Sequence, residues 1–435
     1  MVRNFASIAS LIIGITMVMF ATGLLQVLLP IRASMENLGD AVVGAMGSAY
    51  YVGFTIGCIA GPYLVLTAGH IRTYAAIASV ASAAALLHPV FVDPISWILL
   101  RASSGFCMSV IYLVIESWLN DKATNENRGV VMSIYIMTVY IAMTAGQLLV
   151  AIGPVEGFIL FALTSVIVSF AVLPVAFTRS AQPAAIAIVR FQPRALFKAS
   201  PVGLIGTAVS GLVTGAFFSF GTVFALQRGF SVAEAATFMS ASVAGGAVFQ
   251  WPIGKMSDLI DRRRVLVGAV LIAAAFALVL ALMPLTFELL VAASFVYGGC
   301  ALTIYSVTAA HCFDMVAPED YVEAAATILL ANGVGAAIGP GFAWIALAGL
   351  GAGGLFGFIA AMFLALAGFV IWRMVQRPGV PEEADRSDFD LYSTAPVGTA
   401  ITPEPLEEED PNVFVPEPYV DPEQESEEQA SAEPA

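Results

Sequence analysis

The sequence predicts an all-α integral membrane protein, in which twelve transmembrane helices form two pseudo-symmetric six-helix bundles. Three observations predict this fold: an apolar composition, twelve apolar stretches of membrane-spanning length, and an internal repeat. Of the 435 residues, 59% are hydrophobic and 11% are charged, and the mean hydropathy is +0.87. A water-soluble core does not need apolar residues spread so evenly along a chain, so the composition indicates a membrane protein.

The twelve apolar stretches are each long enough to cross a bilayer, which takes about 20 residues of helix. They are expected to be helical, because lipid forces every backbone polar group to pair within its own segment. The predicted spans are residues 5–29, 42–66, 73–91, 96–118, 130–152, 157–177, 202–226, 234–255, 265–283, 286–310, 323–347 and 354–375.

Lysine and arginine predict the orientation of these spans. With the N-terminus inside, 15 of the 18 basic residues fall in cytoplasmic segments, as the positive-inside rule requires. Arg32 and Arg228 fall outside, and Arg101 lies within a span. The first apolar stretch is too long for a signal-peptide core, so we interpret it as the first span. We therefore expect a multi-pass membrane protein with both termini in the cytoplasm.

An internal repeat relates the two halves of the chain. Chance identities are common in apolar sequence, but glycines, a tyrosine pair and loop acids that share one register indicate duplication. A shift of 193 residues matches Gly53/Gly246, Gly61/Gly254, Gly105/Gly298, Tyr112/Tyr305, Asp121/Asp314 and Gly146/Gly339. A shift of 192 residues matches Gly14/Gly206, Thr22/Thr214 and Gly23/Gly215 between the first and seventh spans.

The repeat and the charge distribution divide the chain into four segments. These are an N-terminal bundle (1–177), a basic cytoplasmic linker (178–200), a C-terminal bundle (201–377) and an acidic tail (378–435). The tail holds 17 of the 32 acids and a single arginine, so the net charge of −14 belongs to it. Its Pro, Glu and Ser content predicts disorder. The four cysteines lie in apolar runs without metal-ligand spacing, so we expect them to be buried and unpaired.

The stretch from Gly254 to Arg264 joins the eighth and ninth spans and is the expected gate of the protein. Its order of glycine, aspartate (Asp258) and then Arg262 and Arg263 resembles the signature loop of the major facilitator superfamily (MFS), a class of secondary transporters. Leu259 and Asp261 depart from that pattern, where a basic residue and a glycine are usual. The resemblance implies that Asp258 helps to latch the cytoplasmic face; the alternative is a basic loop that sets topology only.

The first-half counterpart of this strip runs from Gly61 to Arg72 and has Val65 in place of the aspartate. Any charged latch is therefore expected in the second half alone.

The fourth span has a stripe of polar side chains that could bind a solute or a proton. Arg101, Met108, Tyr112 and Glu116 fall within about 60° of one helix face, and Arg101 and Glu116 lie about 22 Å apart along the axis. Intramembrane ionisable groups usually mark a solute or proton pathway. Arg101 followed by Gly105 resembles an MFS pattern that implies proton coupling. The alternatives are that Arg101 extends to the lipid interface and that Glu116 pairs with Lys122 or Arg128.

Three further polar side chains inside spans are candidates for the solute pathway. Tyr112 and Tyr305, related by the repeat, would face each other across the pore if the fourth and tenth spans line it, as the MFS resemblance implies; simple helix packing is equally compatible. Gln26 on the first span is the best candidate for a cavity residue. Other intramembrane amides are expected to hydrogen-bond between helices.

The first half narrows the resemblance to one subfamily. The blocks Tyr50-Tyr51-Val52-Gly53-Phe54 and Gly69-His70-Ile71-Arg72, and above all the run from Ile115 to Gly129 with its Glu-Ser-Trp-Leu-Asn core, resemble the bacterial YcaD-type MFS transporters. The resemblance covers about residues 5–375, leaves the acidic tail outside, and implies a location in the bacterial inner membrane.

We therefore expect a secondary transporter that moves a small solute by alternating access, coupled to protons. The alternative is a transporter-like membrane sensor that signals through its acidic tail. An enzyme is not expected, because the three histidines lie near span ends and form no catalytic set with other groups. The expected partners are a small-molecule substrate, protons and lipid, with no cofactor, metal or nucleic acid, and the protein is expected to be a monomer.

Overall fold

The computed structural model describes residues 2–123, 128–177, 191–317 and 320–376, and the regular structure of these residues is helical throughout. Twelve of its segments are long and apolar enough to cross a membrane. The helices are α1 (Val2–Met35), α2 (Asp40–Ala68), α3 (His70–Leu87), α4 (Pro94–Lys122), α5 (Arg128–Ile152), α6 (Ile159–Phe170), α7 (Val172–Ala176), α8 (Pro193–Ala199), α9 (Pro201–Gln227), α10 (Val232–Leu259), α11 (Arg262–Leu282), α12 (Phe287–Ala301), α13 (Ile304–Phe313), α14 (Tyr321–Leu350) and α15 (Gly354–Gln376).

These helices confirm the twelve predicted spans and extend most of them. The fourth span, predicted over 96–118, is helical over Pro94–Lys122 because its ends continue past the apolar core. Two spans are interrupted, which the apolar pattern did not predict. The sixth span is divided into α6 and α7, and the tenth into α12 and α13. At the second break the Thr303 hydroxyl donates to the Cys300 carbonyl (2.8 Å), which competes with helical bonding.

Local side chains determine where several helices begin. The Asp93 carboxylate accepts from the Ser96 backbone amide (2.9 Å), and Pro94 occupies the first turn of α4. These hydrogen bonds lower the pKa of Asp93 from its usual value. Ser231 and Glu234 form a reciprocal capping box at the start of α10. Each device satisfies amide groups that the first turn leaves unpaired.

Glycine contacts follow the predicted repeat. In the first half, a Cβ atom at Gly23 would overlap the Met143 carbonyl, and in the second half one at Gly215 would overlap the Ala336 carbonyl. Gly146 and Gly339, a second repeat-related pair, make the same kind of approach to Phe20 and Leu212. The first span therefore packs on the fifth as the seventh packs on the eleventh, with backbones in contact as small interface residues allow.

One predicted repeat pair is wrong by one residue. A Cβ atom at Gly53 would overlap the Ala102 carbonyl, and the equivalent contact in the second half joins Gly245 to the Phe295 carbonyl. Gly53 therefore corresponds to Gly245, a shift of 192, and not to Gly246. The sequence offered two adjacent glycines, and only their packing distinguishes them.

The two halves meet along α2, α9 and α14, and along α5 and α10. After the first half, α8 covers one end of the second bundle, where the Gln192 backbone amide donates to the Thr327 hydroxyl (2.9 Å). This helix is the described part of the predicted linker. Residues 178–190 of that linker and the predicted acidic tail (378–435) lie outside the described residues, so their predicted properties stay predictions.

Candidate functional site

A cavity lies between the two halves, near the end of the bundle where Asp40 begins α2. We call this the Asp40 end and the opposite one, where α10 ends, the Asp258 end. At the Asp40 end the Gln227 amide of the second half donates to Asp40 of the first (3.0 Å). The cavity of about 20 Å³ holds one or two waters. Its lining residues are Leu25, Gln26, Leu29, Pro30, Val43, Met46, Gly47, Tyr51, Arg101, Phe218 and Ser219.

Arg101 lines this cavity. Its guanidinium carbon lies 4.4 Å from the centre of the Tyr50 ring, a cation–π contact that holds it inside the first bundle. Among the described residues it makes no hydrogen bond and no ion pair. The cavity therefore contains a permanent positive charge without a protein counter-charge.

Gln26 lies in the same cavity, as the sequence predicted for it, and is only 7% exposed. Tyr51, which sequence reasoning did not single out, also lines the cavity. Its buried hydroxyl, like that of Tyr50, has no hydrogen-bond partner within the described part of the chain. The sequence contains the Tyr50-Tyr51 pair, but helical periodicity alone does not show which tyrosines line a cavity and which pack between helices.

Glu116 lies deep in the bundle and is 1% exposed. It accepts a hydrogen bond from the Tyr135 hydroxyl of α5 (2.8 Å). The sequence suggested Lys122 or Arg128 as a partner of Glu116. Lys122 pairs with Asp121 instead (2.7 Å). The side chain of Arg128 lies outside the described residues. The carboxylate thus has a position in the interior, on the half of α4 nearer the Asp258 end.

Tyr112 and Tyr305 are both 1% exposed, so no open pore separates them. The Tyr112 hydroxyl donates to the Met19 sulfur on α1, which directs it within its own bundle. The Tyr305 hydroxyl has no hydrogen-bond partner in the described residues. The structure therefore places both tyrosines in packed surroundings and does not show them facing each other across a pore.

The gate strip is more helical than the sequence predicted. Helix α10 continues to Leu259 and α11 begins at Arg262, so the turn consists of Ile260 and Asp261 and not of about ten residues. Asp261, which stands where the family usually has glycine, caps α11 by accepting from the Arg263 backbone amide (2.9 Å). Its φ of −50° needs no glycine. Burial raises the Asp261 pKa, but hydrogen bonds from Arg263 outweigh this and lower it overall.

Arg262 is the centre of a charge cluster at the Asp258 end. Its guanidinium, only 2% exposed, donates to Asp258 (3.1 Å) and to Asp314 at the end of α13 (2.7 Å). The Asp314 side chain is 3% exposed, whereas that of Asp258 is 35% exposed. Sequence reasoning noted Asp314 only as a repeat identity with Asp121. The cluster shows that it is the more deeply buried partner of Arg262. Val65, at the first-half position predicted for the aspartate, is buried and apolar.

Replacement of Asp258 by Asn is expected to slow transport about two- to fivefold, because an exposed ion pair contributes at most about 1 kcal/mol. Membrane insertion should be unchanged. The measurement is the initial rate of solute exchange in proteoliposomes, normalised to the amount of inserted protein. An unchanged rate would remove Asp258 from the gate.

The four cysteines are unpaired. Cys107, Cys300 and Cys312 are buried as expected, whereas Cys58 is partly exposed, so the expectation of burial is wrong for that residue. Within the described ranges, no group of three or more His, Cys, Asp or Glu could hold a metal ion.

Twelve spans in two repeated bundles, with a polar cavity between the halves and a charge cluster at one end, define the class: a polytopic membrane transporter. A family model described as Major Facilitator Superfamily matches residues 11–250 and 203–408. The chain belongs to the major facilitator superfamily.

Similar proteins indicate which type of MFS transporter the chain resembles. The chain is 27% identical over 335 residues to the uncharacterized MFS-type transporter YcaD of Escherichia fergusonii, covering 76% of this chain and 86% of the relative. Among solved structures it is similar to the nucleoside transporter NupG, with a TM-score of 0.71, 17% identity, and coverage of 85% of this chain and 99% of NupG. It is also similar to a bacterial homologue of the human lysosomal transporter Spinster in an inward-facing, occupied conformation (TM-score 0.69, 17% identity, 87% and 97% covered). At these identities the structures show the fold alone.

Proposed function

We propose that this protein moves a small solute across the bacterial inner membrane by alternating access, with the cavity at Arg101 as the solute site and proton binding at Glu116 as the coupling step. The single observation that carries the proposal is the cavity itself. Side chains of both halves line it, with Arg101 and Tyr51 from the first half and Phe218 and Ser219 from the second. A site that both halves share is opened and closed when the halves rock.

The distribution of basic residues supports the orientation. The Asp258 end carries Lys255 and the run Arg262 to Arg264, and we assign this end to the cytoplasm. The Asp40 end, where the halves touch through Asp40 and Gln227, then faces outward. The conformation described here is accordingly closed toward the outside.

Glu116 is the best-placed carboxylate for proton coupling. It is buried on the same helix as Arg101 and accepts a hydrogen bond from Tyr135 of α5, the helix that packs against α10 of the opposite half. A carboxylate bonded to a helix at the contact between the halves interacts differently with the two conformations when it is charged and when it is neutral. Such a difference is what couples proton binding to the rocking motion.

Uptake of a mixed metabolite library into proteoliposomes, with and without an imposed pH gradient, tests the function. We expect the wild-type protein to concentrate at least one solute when the gradient is present, and to exchange it without net accumulation when the gradient is absent. No flux of any solute would contradict the proposal and would favour the sensor interpretation.

Replacement of Glu116 by Gln, which mimics a permanently protonated carboxyl, is expected to abolish accumulation driven by the pH gradient while exchange continues. The matched control is Glu156→Gln, which removes an exposed carboxylate in the loop after α5. The measurement is the ratio of internal to external solute for both variants. Accumulation at the wild-type level in Glu116→Gln would show that another group binds the coupling proton.

A further inference from the structure

We propose that the solute is a small organic anion with an apolar body, whose acidic group binds Arg101, Gln26 and Tyr51. This inference rests on the proposed function, because it names the chemical class of substrate for the same cavity. The argument uses the polar groups that line the cavity, their lack of partners, and the nature of the remaining wall.

The first step is the charge of the cavity. Within the described part of the chain, Arg101 is its only charged lining residue and no aspartate or glutamate lines it. Arginine keeps its proton at any physiological pH. An unpaired guanidinium in a low-dielectric interior attracts an anion far more strongly than one in water. A cationic solute would meet uncompensated repulsion here.

The second step is the set of hydrogen-bonding groups beside Arg101. The Tyr51 side chain is 6% exposed and its hydroxyl has no partner among the described residues. Gln26 and Ser219 make no hydrogen bond to another described residue. Buried polar groups in folded proteins nearly always have partners, so the unpartnered Tyr51 hydroxyl beside Arg101 indicates a site that a ligand completes. Each of these groups can donate to an oxyanion, and the guanidinium can do so in a bidentate manner.

The third step is the apolar part of the lining. Leu25, Leu29, Val43, Met46 and Phe218 line the same cavity as these donors. A free inorganic anion would gain nothing from such a wall and would lose its hydration. An acid with an aliphatic or aromatic body would bury that body against it, at about 25 cal/mol per Å² of apolar surface. The combination favours amphiphilic organic acids over inorganic ions.

The fourth step is the contribution of the second half. Phe218 and Ser219 lie on α9, and a Cβ atom at Gly47 on α2 would overlap the Ser219 hydroxyl. Side chains of both halves therefore line the cavity while the Asp40 end is closed. In this closed form the cavity has room for only about one or two waters, so a solute with an apolar body binds while the halves are further apart.

The test compares three probes that share one apolar body and differ in charge: phenylacetate, phenylacetamide and phenethylamine. The full chain is reconstituted in nanodiscs and its melting temperature is measured against the concentration of each probe. We expect phenylacetate to raise the melting temperature in a saturable manner, phenylacetamide to act at least about tenfold more weakly, and phenethylamine to have no effect. Acetate, which lacks the apolar body, should also be weaker than phenylacetate.

Variants test whether the change in melting temperature comes from binding in the cavity at Arg101. Arg101→Gln should weaken phenylacetate binding about 10- to 100-fold, which is the range for a charge-assisted hydrogen bond. Arg101→Lys should recover part of it. Tyr51→Phe should weaken it about threefold to tenfold, since it removes one hydroxyl and keeps the ring. Arg72→Gln, which removes an exposed arginine at the other end of the bundle, is the matched control and should bind as the wild type does.

The inference would be overturned by equal melting-temperature shifts with all three probes, or by a phenylacetate shift that Arg101→Gln leaves intact. It would also be overturned if no small carboxylate, sulfonate or phosphonate on an apolar body changed the melting temperature. Flux of neutral or cationic solutes without anion binding would keep the transport function and reject this substrate class. Anion binding that depends on Arg101, without any flux, would support the binding site and reject transport.

Discussion

Replacement of Gly47 by Val is expected to prevent closure of the Asp40 end and to abolish transport. A Cβ atom at Gly47 would overlap the Ser219 hydroxyl and lie 2.8 Å from the Ser219 Cβ atom and 3.2 Å from Pro340. Ser219 and Pro340 belong to the second half, so the overlap separates the halves and leaves each bundle intact. Overpacking of this size costs about 1–3 kcal/mol, which shifts the population of the closed form by about 5- to 150-fold.

The closure is measured as a distance between spin labels on Ala41 and Ala233, exposed residues of α2 and α10 at the Asp40 end. We expect the distance to lengthen in Gly47→Val and solute exchange to fall to background. Gly341→Val is the matched control, because a Cβ atom at Gly341 has no neighbour within 4 Å.

Two further results separate this explanation from misfolding. Gly47→Ala should lengthen the distance less than Gly47→Val, and adding Ser219→Gly to Gly47→Ala should restore it, because that change removes the two closest atoms. A wild-type distance distribution in Gly47→Val would mean that the halves close without this contact.

Replacement of Asp314 by Ala is expected to lower the stability of the folded protein by about 3–5 kcal/mol. The change removes one partner of a buried ion pair and leaves the Arg262 guanidinium, 2% exposed, without its closest carboxylate. The pair joins the end of α13 to the start of α11, so its loss also loosens the Asp258 end. The measurement is thermal unfolding of the purified protein in detergent, followed by circular dichroism.

The repeat provides the control. Asp121 occupies the position that corresponds to Asp314 in the first half, but its side chain is 31% exposed and pairs with the adjacent Lys122. Asp121→Ala should therefore change the stability by less than about 1 kcal/mol. Combining Asp314→Ala with Arg262→Gln should recover part of the loss, because the buried guanidinium that lost its closest carboxylate is then removed as well. Equal effects of Asp121→Ala and Asp314→Ala would contradict the buried-pair explanation.

Much of the fold was predictable because bilayer physics acts on the local sequence. Each span needs about 20 apolar residues, so the twelve stretches and their approximate ends are visible without a structure. Duplication leaves glycines in register, and the pairs Gly23/Gly215 and Gly146/Gly339 do make equivalent contacts. The resemblance of the gate strip and of the Glu116 block predicted the superfamily, which the family match confirms.

The helix breaks and the short turn in the gate strip were harder to predict from the sequence. The tenth span is divided at Thr303, whose hydroxyl donates a hydrogen bond to the Cys300 carbonyl. The apolar pattern of the sequence does not reveal a bond of this kind. The helical course of the gate strip to Leu259 was hidden because Lys, Ser and Asp were interpreted as loop residues. At a membrane surface, a helix can continue through such residues into water.

By itself, the sequence determined the membrane class, the number of spans, the duplication and the family, because each depends on composition or on local order. Only the tertiary structure decided which polar residues meet. Gln26, Tyr51, Arg101 and Ser219 come from four different spans, and Arg262 and Asp314 lie 52 residues apart. The physical reason is that the rotation of each helix about its axis is set by packing against its neighbours, and a one-residue shift turns a side chain by about 100°.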